Sequence, residues 1–303
     1  MPMSEVSYLR LLETGELECR AAQAWDALES CDLCPWECRV NRLAGRLGVC
    51  KTGTAARVAS FGPHFGDERV LTGTNGSGAV FFNRCSQHCI FCHSAGVSQT
   101  DDGEPVSADV LARIFLDMQG MGCHNIHLVT PSHLIPQILA ALLIAARAGL
   151  RLPLVFNTGG YDRVEALRLL DGVIDIYLPD LKFSDPRTAK QLSGCKDYVG
   201  VNHAAVIEMH RQVGDLVLDE AGLARRGLIA RHLVLPNGLS GSRGVMQFLS
   251  QEVSPDTAVS LLDTFQPAHK SAAVAGLNRA VTPAELRKST AEALAAGLHN
   301  LPH

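Results

Sequence analysis

The sequence predicts an α/β fold: a partial (β/α)6 TIM-like barrel with a small N-terminal Cys-rich metal module. Three observations predict it. Short apolar runs alternate with helical patterns through the middle of the chain. Seven of the ten cysteines fall into two groups, one ahead of that pattern and one just inside it. Hydrophobic residues make up 47% of the 303 and charged residues 19%, enough apolar material for a large core and too much for a disordered chain.

Residues 1–30 read as a short helix leading into the first cysteine group. Thr72–Gly78, rich in Gly, Thr, Asn and Ser, is a loose joint. The expected strands are Ala79–Phe82, Ile126–Val129, Leu154–Asn157, Ile174–Leu178, Ala230–Leu235 and Ala258–Leu262. Between them, Val110, Leu111, Ile114, Phe115 and Met118 share a helical face that Ser107 caps and Gly120 and Gly122 end. Ser132–Ala148 reads as a second helix, with Pro136 near its first turn and Gly149 at its end. Asp162 is placed to cap a third, carrying Val164, Leu167 and Leu170; Pro186–Leu192 and Val201–Val213 read as a fourth and fifth. Strands alternating with helices imply a parallel sheet with right-handed crossovers. Six such units fall short of a closed eight-stranded barrel; by pattern alone a doubly wound sheet fits as well. In the tail, Thr282-Pro283-Ala284-Glu285 is a helix start, with a Thr cap, Pro at the first position and Glu three residues past the cap. The expected division is 1–56 for the N-terminal helix and four-Cys module, 57–270 for the barrel and 271–303 for a helical tail.

A net charge of −4 leaves no basic excess for a nucleic-acid backbone, and 5% aromatics offers no base-stacking platform. The N-terminal stretch carries Glu5, Arg10, Glu13, Glu16 and Glu18 with no apolar leader. The longest uninterrupted apolar run, Ile138–Ala146, is far short of the roughly 20 residues a membrane span needs. A cytoplasmic location is therefore expected, with neither nucleic acid nor membrane as partner. There, clustered cysteines suggest metal or redox chemistry rather than disulfides.

Cys85, Cys89 and Cys92 follow the first expected strand in the string CSQHCIFC. Three thiolates on a tight loop can ligate three irons of a 4Fe–4S cluster and leave the fourth open to a substrate. Zinc would need a fourth ligand, for which His88 and His93 are the nearby choices. The other group, Cys31, Cys34, Cys38 and Cys50, offers four thiolates, a closed set that suits tetrahedral zinc or a fully ligated auxiliary iron–sulfur cluster. Because cluster chemistry is already present in the chain, the second reading is preferred. Cys19, Cys123 and Cys195 stand alone. Cys123 reads as a small buried hydrophobe and Cys195 as either packing or site.

The string Cys85-x3-Cys89-x-Phe91-Cys92 resembles the cysteine signature of the radical S-adenosylmethionine (SAM) superfamily. Asn157-Thr158-Gly159-Gly160-Tyr161 and Leu178-Pro179-Asp180-Leu181-Lys182 are similar to paired motifs of pyruvate formate-lyase-activating enzymes. The N-terminal cysteines, Val129-Thr130-Pro131-Ser132-His133 and Arg231-His232-Leu233-Val234-Leu235-Pro236 resemble an uncharacterised branch of that group. The resemblance implies that SAM chelates the open iron through its amino and carboxylate groups. One electron then cleaves it, and a 5′-deoxyadenosyl radical takes hydrogen from a substrate. It implies Phe91 beside the adenine and Lys182 on the SAM carboxylate, with Asn157, Thr158 and Asp180 along the same edge. Read without it, Phe91 is core packing and the polar residues are strand-end caps.

The chain also departs from the family. Thr130-Pro131-Ser132 replaces the Gly-Gly-Glu that holds the SAM amino group, so Thr130 and Ser132 hydroxyls or carbonyls are the expected substitutes. Asn83-Arg84 and His93-Ser94 flank the cysteines where other residues are usual. The expected function is reductive SAM cleavage for hydrogen abstraction from a protein, peptide or small molecule, activation of a glycyl radical enzyme being one option. The expected electron donor is a flavodoxin or ferredoxin. The alternative is a non-catalytic iron–sulfur electron carrier or scaffold on the same fold.

Overall fold

The computed structural model describes residues 6–301; residues 1–5 of the expected N-terminal module and 302–303 of the expected tail lie outside them. Strand β1 (Ala56–His64) pairs antiparallel with β2 (Ser77–Phe82), and β3 (Glu104–Val106) lies on the far side of β1. From β2 onward the sheet is parallel through β4 (Ile126–Val129), β5 (Leu154–Thr158) and β6 (Ile176–Pro179). A short β7 (Val217–Leu218) turns antiparallel into β8 (Ala224–Leu233), which pairs in parallel with β6 and with β9 (Ala258–Leu262). The parallel strands are thus β2, β4, β5, β6, β8 and β9, the six units of the expected partial barrel.

Three strands escaped the sequence pattern. β1 alternates only loosely between buried and exposed residues, and β3 and β7 are short and open to solvent. Antiparallel edge strands need no continuous apolar run, whereas strands buried on both faces do. β8 starts at Ala224, earlier than the expected Ala230, because a charged pair, Arg225-Arg226, interrupts its apolar run.

The mostly parallel sheet agrees with a partial barrel, and part of the chain fills one of its faces. Leu71, from the short helix Arg69–Thr72 between β1 and β2, packs among Val155, Ile176, Leu178, Ile229 and Ala258. Outside, the helices Ala108–Gly120 and Ile135–Arg147 cover the strands. Ser107 caps the first, its hydroxyl accepting from the Val110 N–H at 3.3 Å. Val110 itself is exposed, a correction to its placement on the buried face.

Helices Tyr8–Glu13 and Glu16–Asp26 replace the single N-terminal helix that was expected. Tyr8, Leu17, Leu28 and Leu33 join the same apolar core as the barrel helices, and the Tyr8 hydroxyl donates to the Leu152 carbonyl at 3.0 Å. The tail helix Pro283–Ala295 begins with the expected capping box between Thr282 and Glu285. No helix among the described residues is long and apolar enough to cross a membrane.

Candidate active site

The parallel strands end on one rim, and the sequence motifs sit there. The loop after β2 carries Cys85, Cys89 and Cys92, with Cys89 buried and the other two half-buried. Its sulfurs are met by local donors. The Gln87 N–H points at Cys85 Sγ at 3.3 Å, and Ser98 Oγ lies 3.2 Å from Cys92 Sγ. Burial pushes the Cys85 and Cys89 thiols up to about 12, with the nearby Lys182 pulling the other way. Such thiols become ligands by surrendering the proton to a metal.

Lys182, past the end of β6, is buried with its ammonium 2.8 Å from Asp180 Oδ2. It also donates to Gln87 Oε1 at 3.2 Å and to the Gly159 carbonyl at 3.3 Å. Burial works against its charge, but Asp180, Tyr198 and Cys89 outweigh burial and hold its pKa well above the usual lysine range. The end of β5 adds Asn157 and Thr158. The Ser132 and Thr158 hydroxyls lie 3.0 Å apart, and Thr158 donates to Asp162 Oδ2 at 2.6 Å. Asp162 is therefore not the helix cap that was expected; Arg163 occupies that position and Asp162 turns inward, its Oδ1 buried without a partner. Burial raises its pKa, opposed by Ser132 and Thr158.

Thr130 closes β4 with φ +62°, in the left-handed region that a β-branched residue rarely occupies. Its N–H is fixed by the Asn157 carbonyl at 2.9 Å. Backbone strain of this kind gathers where a site needs a particular shape. Phe91 is buried edge-on between Phe183 and Phe265, at centroid distances of 6.0 and 6.4 Å. It lies in the apolar cluster that holds Cys89 and Cys195.

The structure thus gathers Cys85, Cys89, Cys92, Phe91, Asp180 and Lys182 around one loop, and Thr130, Ser132, Asn157 and Thr158 at the neighbouring strand ends. Cys31, Cys34, Cys38 and Cys50 form a second group. The two meet where the Trp36 indole N–H donates to the Ser86 carbonyl at 2.6 Å, inside the Cys85–Cys89 loop. His88 and His93 are exposed. Among the described residues no three His, Cys, Asp or Glu side chains converge so as to hold one metal ion. A 4Fe–4S cluster makes no such demand, since each thiolate takes its own iron, and the donor set at residues 85–92 fits that group.

Several residues of the site were not singled out from sequence. Gln87 ties the cysteine loop to β5 through its Nε2–H to the Gly159 carbonyl at 2.8 Å, and the Tyr198 hydroxyl lies 3.0 Å from both the Gly159 and Asp180 carbonyls. Deeper in the barrel, Arg231 of β8 pairs with Asp67 and Glu68 at 2.7 Å each, and His127 of β4 lies 3.2 Å from Asp67. Burial pushes both carboxyls up, but Arg231, and for Asp67 also His127, overcomes it and holds them below the usual carboxylate range. A His and an Arg inside otherwise apolar strands were the available signals.

Along 292 residues the chain is 27% identical to an uncharacterized protein of Methanocaldococcus jannaschii, covering 93% of this chain and 79% of that one. Its fold is similar to that of a radical SAM methyltransferase from Sphaerobacter thermophilus, with a TM-score of 0.51 over 95% of this chain and 89% of the other at 14% identity. A more distant likeness is to HydG, a maturase of FeFe-hydrogenase, with a TM-score of 0.47 at 14% identity over 72% of this chain and 49% of the other. The family model of the Radical SAM superfamily matches residues 79–214, which contain the three loop cysteines, Thr130, Asn157, Asp180 and Lys182.

Proposed function

We propose that the protein cleaves SAM reductively at a 4Fe–4S cluster on Cys85, Cys89 and Cys92, and that the product radical takes a hydrogen atom from a substrate. The observation that carries this reading is the meeting of those three cysteines with Asp180 and the buried Lys182 at one rim of the sheet. When bound, the cluster and SAM supply one-electron cleavage of a carbon–sulfur bond and a 5′-deoxyadenosyl radical. The chain's residues supply the setting. Lys182 offers a desolvated ammonium to a carboxylate, an interaction less screened than at the surface. Gln87 and Tyr198 hold the loop and the β5 and β6 ends together. Phe91, Phe183 and Phe265 keep water from one side of the cysteines. Ser132, Thr158 and the free Oδ1 of Asp162 provide acceptors and donors where the Gly-Gly-Glu stretch is missing.

Activation of a glycyl radical enzyme is the finer reading, supported by the two strings at residues 157–161 and 178–182. A flavodoxin or ferredoxin would supply the electron. We also assign a second metal centre to Cys31, Cys34, Cys38 and Cys50. Anaerobic reconstitution with iron and sulfide, reduction in the presence of SAM and assay for 5′-deoxyadenosine test the main reading. Product is expected from the natural protein and none from Cys85→Ala, Cys89→Ala or Cys92→Ala. Reconstituted protein that leaves SAM intact under strong reductant would make the chain an electron carrier or scaffold.

A further inference from the structure

Arg42 is only 2% exposed, and among the described residues no carboxylate pairs with it. Its guanidinium donates to neutral acceptors: twice to the Gly53 carbonyl, at 3.1 and 2.6 Å, and once to the His133 carbonyl at 3.1 Å. Its remaining contact is Cys31 Sγ at 3.7 Å. An arginine does not shed its proton on burial, and a buried charge without a counter-charge is costly. The sulfur that Arg42 touches, Cys31 Sγ, is a source of the missing negative charge once it is a thiolate ligand. The segment carrying the four cysteines folds back on itself beside Arg42: Cys31 bridges to Val40, and the Val49 N–H reaches Cys38 Sγ at 3.4 Å.

The backbone around them is shaped for sulfur. The Trp36 N–H points at Cys34 Sγ and the Val49 N–H at Cys38 Sγ at 3.4 Å. A Cβ on Gly48 would stand 2.8 Å from Cys38 Sγ. Glu37, Arg39 and Lys51, each next to or near one of these cysteines, all have positive φ. Such conformations cost about 1–3 kcal/mol each and persist only where something holds them. Zinc would bring four sulfurs onto one ion, yet no three of the described ligands converge in that way.

We propose that Cys31, Cys34, Cys38 and Cys50 hold an iron–sulfur cluster whose negative charge is balanced by the buried guanidinium of Arg42. The inference rests on the second-centre reading above and is independent of SAM cleavage. It is tested in the full-length Cys85→Ala/Cys89→Ala/Cys92→Ala variant, reconstituted with iron and sulfide. About four irons and four sulfides per chain are expected to remain. A midpoint potential from an optical and EPR redox titration follows. Adding Arg42→Gln removes the positive charge that favours the reduced cluster, so the potential should drop. Arg42→Lys keeps the charge and should stay near the parent, a comparison that holds even if Arg42→Gln folds poorly. Absence of metal from the triple variant overturns the second centre itself. Zinc in place of iron overturns its identity. A potential unmoved by Arg42→Gln, or moved by Arg42→Lys, overturns the role of Arg42.

Discussion

Lys182 donates through its ammonium to Oε1 of Gln87 at 3.2 Å, which joins the end of β6 to the cysteine loop after β2. Because Asp180 holds the same ammonium at 2.8 Å, the charge is fixed in place before any ligand arrives. Lys182→Ala should weaken SAM binding by roughly tenfold, the equivalent of about 1.4 kcal/mol. The cluster's iron content should stay intact, since no cysteine is touched. Equilibrium dialysis with labelled SAM, beside an iron assay, checks both; unchanged affinity would remove Lys182 from the site.

Thr130 holds its left-handed backbone at a cost of about 1–2 kcal/mol for a residue with a Cβ. Glycine lifts that cost but loses about 0.5–1 kcal/mol to unfolded-state entropy. Thr130→Gly is expected to leave the protein as stable or more stable, by up to about 1 kcal/mol, while lowering SAM affinity. Urea denaturation and SAM binding read the two effects separately. A variant that gains stability and binds SAM unchanged would show that the Thr130 side chain takes no part in the site.

Arg231 pairs with both Asp67 and Glu68. Arg231→Met would leave two buried carboxylates without their partner, a change that typically costs about 3–5 kcal/mol. The triple change Arg231→Met/Asp67→Asn/Glu68→Gln should recover much of that loss, because it removes both signs of charge. Denaturant midpoints of the two variants decide it; equal midpoints would mean that the pairing contributes little.

His133 and His232 give the protein an acid limit. Burial depresses both imidazoles to about 4, so the native state keeps them neutral where the unfolded chain, titrating near its ordinary value, takes up protons. The unfolded state then binds more protons, and stability falls as pH drops from about 6.5 to about 4, by up to about 1.4 kcal/mol per unit for each imidazole. Below that window these two groups add no further loss. His232 lies 2.6 Å from the Leu181 carbonyl and 2.9 Å from Ser242 Oγ. His232→Asn should show a shallower decline across the window than the natural protein, by urea titration at several pH values. Parallel curves would clear His232.

Much of the barrel was readable because buried parallel strands are continuous apolar runs: Ile126–Val129 and Ala258–Leu262 were found with their observed limits. Cap chemistry was readable where it is local, as at Ser107 and Thr282. It misled at Asp162, whose carboxylate had a better partner in Thr158, four residues back in sequence but across the β5 turn in space. The cysteine loop stood out by its spacing, whereas the residues at the ends of β5 and β6 were singled out only through the family resemblance; the structure sets both at one rim.

By itself, then, the sequence determined the run of six parallel strands with helices between them and the two cysteine groups, since each depends on neighbours within a few positions. Only the tertiary structure decided that Gln87 joins Lys182, that Trp36 seats the first cysteine group on the second, and that Arg42 is buried beside Cys31 without a carboxylate. Those contacts link residues distant along the chain, and whether a polar group meets a charge, a carbonyl or a sulfur is set by which elements pack against it, information that no local pattern holds.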